Sequence, residues 1–479
     1  MRMYLFAMLS MLILASMILS ACGAPAPATT QAPAASEAAT ATEAPAATAA
    51  ATQAATEAPA QEQVLEIWTH EFPPLQDAMT KTWIPEFEKA HPGVKVKMTA
   101  IPFAGVVAYD AKLLAALSGG GGPDLWDMGD WDNKTFMDNK FLAPLDPKIF
   151  GYDDEKDLIG SYPPGTMDIY VRDGKVYGLF SEYNTLALFY NLDMFEKAGI
   201  PPLPEDKPVS WDEIAKISEK LYQTDPSTKQ PIAMGWQWGF MASYRSAQWY
   251  AQNFYELMRQ YGQDDIYVDG KPAVNTEPVK KALQQIYDFQ YTYHAYDPVF
   301  INNWFADFPQ NRIGMVLAGT WFAPAIKQNN PNVRFGVAPH PVVDPNDKST
   351  YKNIQWAWGW CVNANKDPEQ QKLAQEFMAF ILGKKGETDQ PAWWFKNLGY
   401  MQPSKAFLDS QAFKDTLQEN PWMKQWITAF DMFQIESVPH SYDEAGATLV
   451  RAIDRIIYDK MSAEESATLW QAELDRLGK

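Results

Sequence analysis

Indole side chains spaced two residues apart are the feature of this sequence most suggestive of chemistry. Trp236-Gln237-Trp238 and Trp356-Ala357-Trp358-Gly359-Trp360 carry them, and an extended backbone turns such side chains to one face. The neighbours Gly235, Gly239, Ala357 and Gly359 are small and leave ring faces uncovered by adjacent side chains. Flat apolar faces beside planar polar groups suit a carbohydrate, because rings cover C–H patches while the polar groups bind hydroxyls. Gln237, Asn184, Asp130 and Glu71 are polar candidates for that role. A core stripe is the competing reading of any single Trp. With 18 Trp in the chain, the excess needs an explanation, since a buried indole N–H wants a partner.

Other chemistries find less support. Ser118-Gly119-Gly120-Gly121-Gly122-Pro123-Asp124 invites a phosphate-loop reading, but it follows a helix and precedes a strand, and no Lys-Ser/Thr ends it. A permissive helix-to-strand turn fits it better. Asp344-Pro345-Asn346-Asp347 lacks the glycine and closing glutamate of a calcium loop. Two cysteines and five histidines, none at ligand spacing, argue against a metal centre or a disulfide scaffold, and no cofactor motif is present. The net charge of −19 argues against a nucleic-acid surface. Paired carboxylates for glycoside hydrolysis need only meet in space, so a secreted hydrolase stays open.

The elements that must position these residues begin after a long leader. Arg2 precedes an uncharged apolar run, Tyr4 to Leu19, which has the length of a signal peptide over residues 1–21. Leu19-Ser20-Ala21-Cys22 resembles a bacterial lipobox, so Cys22 is expected to be acylated and to anchor the chain on the extracytoplasmic face of the cell membrane. Residues 23–63 are nearly half alanine, with Thr, Pro, Gln and Glu, and have no aromatic residue. Such a segment cannot bury enough surface to fold and reads as a solvated tether.

From Val64 the pattern changes. Val64–Thr69 reads as a strand, Gln76–Ala90 as a helix ended by His91-Pro92-Gly93, and Val94–Thr99 as a strand with Val94, Val96 and Met98 on one face. This βαβ unit predicts two parallel strands. A helix near 104–117 and a strand at Leu125–Met128 follow. Further strands are expected at Leu186–Tyr190, Ile313–Leu317, Arg334–Ala338 and Trp358–Asn363. Capped helices are expected to begin at Ser210, Asp367 and Ser462, the last carrying Leu469 and Leu474. Strand–helix alternation implies an α/β fold with ligands at the carboxyl ends of the strands.

Taken in order, these segments resemble a known family. Trp83-Ile84-Pro85-Glu86-Phe87-Glu88-Lys89-Ala90-His91-Pro92-Gly93-Val94-Lys95-Val96, then Gly122-Pro123-Asp124-Leu125, then Asn139-Lys140-Phe141-Leu142-Ala143-Pro144-Leu145-Asp146 are similar to segments of the extracellular solute-binding proteins of ABC importers. Asp173-Gly174-Lys175-Val176-Tyr177-Gly178, Leu188-Phe189-Tyr190-Asn191, Phe195-Glu196-Lys197-Ala198-Gly199 and Arg312 through Trp321 continue the series. The resemblance is to the cluster holding the maltodextrin- and multiple-sugar-binding proteins. It departs where Trp356-Ala357 stands in place of Gly-Gly and Phe180 in place of Pro.

The resemblance implies a two-lobe periplasmic-binding-protein-like fold with the ligand in an interlobe cleft. Its expected first lobe is 64–181 plus about 321–355, and its second is 186–316 plus about 361–479. Crossings are expected near 182–185, 317–321 and 356–361. Position by position, the implied cleft residues are Thr69, His70, Glu71, Met128, Gly129, Asp130, Trp131, Asn184, Trp321 and Trp358. The aromatic pattern adds Trp236, Trp238 and Trp356. The expected function is capture of a sugar or oligosaccharide for delivery to an ABC permease by a monomeric, non-catalytic lipoprotein. A phosphorylated polyol or a peptide are the alternative solutes.

Overall fold

The protein is described by a computed structural model covering residues 63–477 except 103–105, 242–246, 299, 301–302 and 441–442. The signal peptide, Cys22 and all but the last residue of the tether lie outside the described residues.

The alternating run at Val94 builds the first sheet as its periodicity predicts. β1 (Gln63–His70) and β2 (Val94–Ile101) pair in parallel, and β1 also pairs in parallel with β3 (Leu125–Gly129). The crossover is helical from Pro73 to Ala90, with one wide turn at Met79–Trp83. Leu65 and Ile67 of β1 and Met79, Trp83 and Phe87 of the crossover are buried. The glycine-rich segment is a structural turn. Asp124 accepts the Glu66 amide at 2.6 Å, and the Asn363 side chain donates to the carbonyls of Gly121 and Pro123.

Two further strands complete this sheet. β4 (Leu179–Thr185) and β9 (Lys352–Val362) are antiparallel, β9 is also antiparallel to β3, and β10 (Gln434–Ser437) pairs with its start. The second sheet contains β5 (Ala187–Asn191), β6 (Pro231–Gln237), β7 (Ile313–Ala318) and β8 (Phe335–Ala338) in the order β8-β5-β7-β6, with Gln223–Thr224 at its edge. The chain therefore passes from the first sheet to the second between Thr185 and Ala187.

Helix starts follow their capping residues. Ser210 Oγ accepts the Glu213 amide, opening Trp211–Leu221. Asp367 caps Pro368–Leu382 through the amides of Glu369 and Gln370. Ser462 and Glu465 bond reciprocally at the start of Ala463–Leu477, where Leu474 is buried and Leu469 is exposed.

The expected division of the chain needs correction in three places. Phe335–Ala338, expected in the first lobe, is an edge strand of the second sheet, hydrogen-bonded to β5. The helix Pro368–Leu382, expected in the second lobe, packs on β1 and β9 of the first. Residues 356–361 lie inside β9 of the first sheet, so the return passage falls earlier, between Ala338 and Lys352. Which sheet a strand joins is set by which edge is free to pair, and sequence order does not encode that.

Candidate functional site

One cleft collects aromatic side chains from both sheets' neighbourhoods. From the first come His70, Glu71 and Phe72 after β1, Glu182 on β4, Trp356 and Trp358 on β9, and Tyr400. From the second come Gln248, Trp249 and Gln252 on the helix Ala247–Gln260, Trp304 and Phe305 on the short helix Trp304–Asp307, and Trp321 after β7. The cleft holds about 580 Å³ of empty space, open solvent at its mouth included.

The first wall is held rigid by buried hydrogen bonds. Asp127 on β3 accepts the His70 amide at 2.9 Å and lies 2.7 Å from its Nδ1, and the Tyr109 hydroxyl donates to the Asp127 carbonyl at 2.6 Å. An ionised carboxylate only accepts, so Nδ1 carries a proton, and in the neutral ring Nε2 faces the Tyr400 hydroxyl at 3.2 Å as acceptor. The imidazole lies against Trp358, centroids 4.1 Å apart, and the Trp131 ring meets that indole edge-on at 5.2 Å. Trp358 is thereby clamped in one orientation.

Glu182 stands beside Trp358 across the β4–β9 ladder. Its carboxyl is 1% exposed, and burial pushes it up to about 8; bonds from the Asn184 amide and the Trp356 indole act against that rise. Asn184 Nδ2 donates to Glu182 at 2.5 Å and to Thr320 at 2.8 Å, and the Thr320 hydroxyl donates to the Gly399 carbonyl. This chain of bonds joins β4 to the turn that carries Trp321. That turn needs its glycine: a Cβ on Gly319 would sit 2.6 Å from Trp321 Nε1 and 2.8 Å from the Trp356 ring.

The second wall is aromatic. Trp321 is half-buried and packs on Trp304 and Trp249, with centroids at 5.6 and 6.0 Å. Trp304 is 1% exposed, and its indole N–H has no partner among the described residues. Gln248 and Gln252, four apart on one helix face, bring two side-chain amides to the same wall.

The structure sorts the residues expected from sequence. His70, Glu71, Trp321, Trp356 and Trp358 line the cleft. Asp130, Trp131 and Asn184 do not; they stand behind it. Asp130 takes backbone hydrogen bonds from Ala357, Trp131 and its own amide, yet burial still raises it to about 7. Trp131 buttresses Trp358, and Asn184 orients Glu182.

Trp236 and Trp238 are core residues, correcting their assignment to the site. Both are fully buried in a cluster with Trp211 and Phe289, at centroid distances of 5.1 to 5.9 Å. The small neighbour that suggested an open face has another purpose: a Cβ on Gly235 would fall 1.9 Å from the Ser218 carbonyl, so its absence lets the helix Trp211–Leu221 seat on β6.

Sequence reasoning missed Phe72, Glu182, Gln248, Trp249, Gln252, Trp304, Phe305 and Tyr400. A usable signal existed for two of them, since Gln248 and Gln252 repeat at helical spacing within an aromatic-rich helix.

Known proteins share this architecture. A solute-binding protein of Thermotoga lettingae TMO, solved with α-D-tagatose, superposes with a TM-score of 0.67 at 21% identity, covering 87% of this chain and 99% of that one. UgpB of Mycobacterium tuberculosis in complex with glycerophosphocholine superposes equally well, TM-score 0.67 at 19% identity over 87% and 99%. In sequence, an arabinooligosaccharide-binding protein of Bacillus subtilis (strain 168) is 24% identical over 343 residues, 69% of this chain and 72% of the relative. The fold is thus the two-lobe α/β fold of periplasmic solute-binding proteins. The family model of bacterial extracellular solute-binding proteins matches residues 72–388, more than half of the chain, and this chain belongs to that family.

Proposed function

We propose that this protein captures a carbohydrate between its two lobes and delivers it to the membrane permease of an ABC importer. One observation carries the reading: five indoles, contributed from both walls, face a single cleft together with amide and carboxyl groups. The indole faces suit sugar C–H patches, and the polar groups suit hydroxyls. The relative in Bacillus subtilis, named for arabinooligosaccharide binding, supports the ligand class. A phosphorylated polyol is disfavoured by charge. Among the described residues no lysine or arginine lines the cleft, while Glu71 and Glu182 do, so a phosphate would meet two acidic side chains there. Both walls come from one chain, so a monomer suffices.

A glycan panel read by thermal shift and then calorimetry tests this. At a hundredfold excess over Kd, a bound sugar should stabilise the fold by about 2.7 kcal/mol, and the sugar should be recovered uncut. A shift produced by sn-glycerol 3-phosphate and by no sugar would overturn the ligand class. Cleavage of an oligosaccharide would make the protein a hydrolase.

The anchor is part of the same proposal. Leu19-Ser20-Ala21-Cys22, followed by the alanine-rich tether, supports acylation of Cys22 on the extracytoplasmic face. Metabolic labelling with a palmitate analogue should mark the protein, and Cys22→Ala should remove the label. Label that persists in the variant would sink the anchor.

A further inference from the structure

The direction of the hydrogen bonds along the first wall bears on which group a ligand must present there, an inference that rests on the carbohydrate reading above. Tyr400 lines the cleft, and packing fixes its ring: Phe72 and Trp394 both stack on it, with centroids at 5.4 and 5.9 Å. The backbone on either side of it is pinned. Gly399, at a φ of 73°, ends the helix Asp389–Leu398, and its carbonyl accepts the Thr320 hydroxyl. The Met401 carbonyl accepts the Tyr183 amide at 2.8 Å. A Cβ on Gly399 would fall 2.3 Å from the Thr320 carbonyl oxygen, so the glycine lets this segment pass close to the turn that carries Trp321.

A phenol hydroxyl has one hydrogen and two lone pairs. Here the hydrogen is committed. Asp127 takes the His70 amide at 2.9 Å and the Nδ1 proton at 2.7 Å, which leaves Nε2 of the neutral ring as an acceptor. The Tyr400 hydroxyl lies 3.2 Å from that nitrogen and donates to it. Among the described residues no donor reaches the Tyr400 oxygen in return. Its lone pairs are therefore the part of the hydroxyl left for a ligand. Because the ring is fixed, an occupant of the cleft that offers no donor leaves that oxygen desolvated and unpaired, at a cost in affinity.

We propose that Tyr400 is a specificity-determining acceptor, whose oxygen takes a hydrogen bond from one hydroxyl of the bound sugar in the direction set by the Asp127–His70 pair. A sugar carrying hydrogen or fluorine in place of that hydroxyl has no donor to give and is rejected.

The test separates donors from acceptors on the ligand. Glucose, galactose, mannose and the β-1,4 dimers of glucose and mannose would be titrated by calorimetry at neutral pH against the complete folded chain, followed by their monodeoxy and monodeoxyfluoro forms. At one ring position, both forms are expected to bind about tenfold more weakly than the parent sugar. Fluorine keeps nearly the size of the hydroxyl and donates nothing, so size alone does not explain a loss shared by both. Tyr400→Phe should lose about the same factor for the parent and close to nothing for those two analogues, a coupling that a merely structural role would not produce. Should the variant fail to fold, the unaltered chain still decides, through the analogue series and through nitrogen NMR, which should find a proton on Nδ1 of His70 and none on Nε2. Three results overturn the inference and leave the carbohydrate reading standing: no position at which both analogues lose affinity, a loss that persists at every position in Tyr400→Phe, or a proton on Nε2. Binding by none of these probes also overturns it, and the glycan panel then judges the carbohydrate reading separately.

Discussion

Trp321→Ala is expected to weaken ligand binding by about 1–3 kcal/mol, a stacking magnitude taken from aromatic contacts with nucleobases. The ring is half-buried and forms part of the wall opposite β9, so a ligand between the lobes would rest against it. Because one side of the indole already borders empty space, its removal opens little new cavity, and the ligand-free protein should lose less stability than a core truncation costs. Trp358→Ala separates the two effects differently. That residue is 6% exposed and packs against His70 and Trp131, so affinity and folding should both suffer. Calorimetry measures the first and urea unfolding the second. Unchanged affinity in Trp321→Ala would mean that the ligand lies elsewhere.

The largest loss of stability is expected at Trp236. Truncation to alanine should cost about 3–5 kcal/mol of folding free energy, as for other large buried aromatics. Ligand affinity should stay within about threefold, because the ring touches Trp211, Trp238 and Phe289 and lies outside the cleft lining. Trp236→Phe should cost much less, since it keeps most of the volume and removes an indole N–H that has no partner among the described residues. Urea unfolding of the three proteins orders these values. A Trp236→Ala chain of normal stability that no longer bound ligand would put this indole back in the site.

Local order was readable where a short period decides the outcome. Val94, Val96 and Met98 alternate with Lys95, Lys97 and Thr99, and only one register of a strand hides the first set; β2 takes that register, with the apolar set half-buried and the polar set exposed. Ser210 and Asp367 each satisfy an orphan amide within their own turn, so the helix starts they mark needed nothing distant. Lys140 takes a left-handed φ of 59°, a conformation that favours glycine.

The site was readable only in part, and the reason is physical. By itself the sequence determined the α/β class, the βαβ start and the capped helices, because each depends on neighbours within a few residues, whereas the turn that carries Trp321 was implied only by the family resemblance. It also determined that the chain is rich in indoles, but it could not say which of them face a ligand. Trp236 and Trp358 have similar flanking residues, Gly235 and Gln237 in one case and Ala357 and Gly359 in the other. What separates them lies far along the chain. Ser218 and Phe289 close over β6, whereas the wall opposite β9 is built from residues 248–252, 304–305 and 321 and leaves a gap. Glu182 was invisible for the same reason: its burial is a sum over residues brought together only when both sheets have formed. Burial and electrostatic potential are properties of that assembly, and the tertiary structure alone decided them.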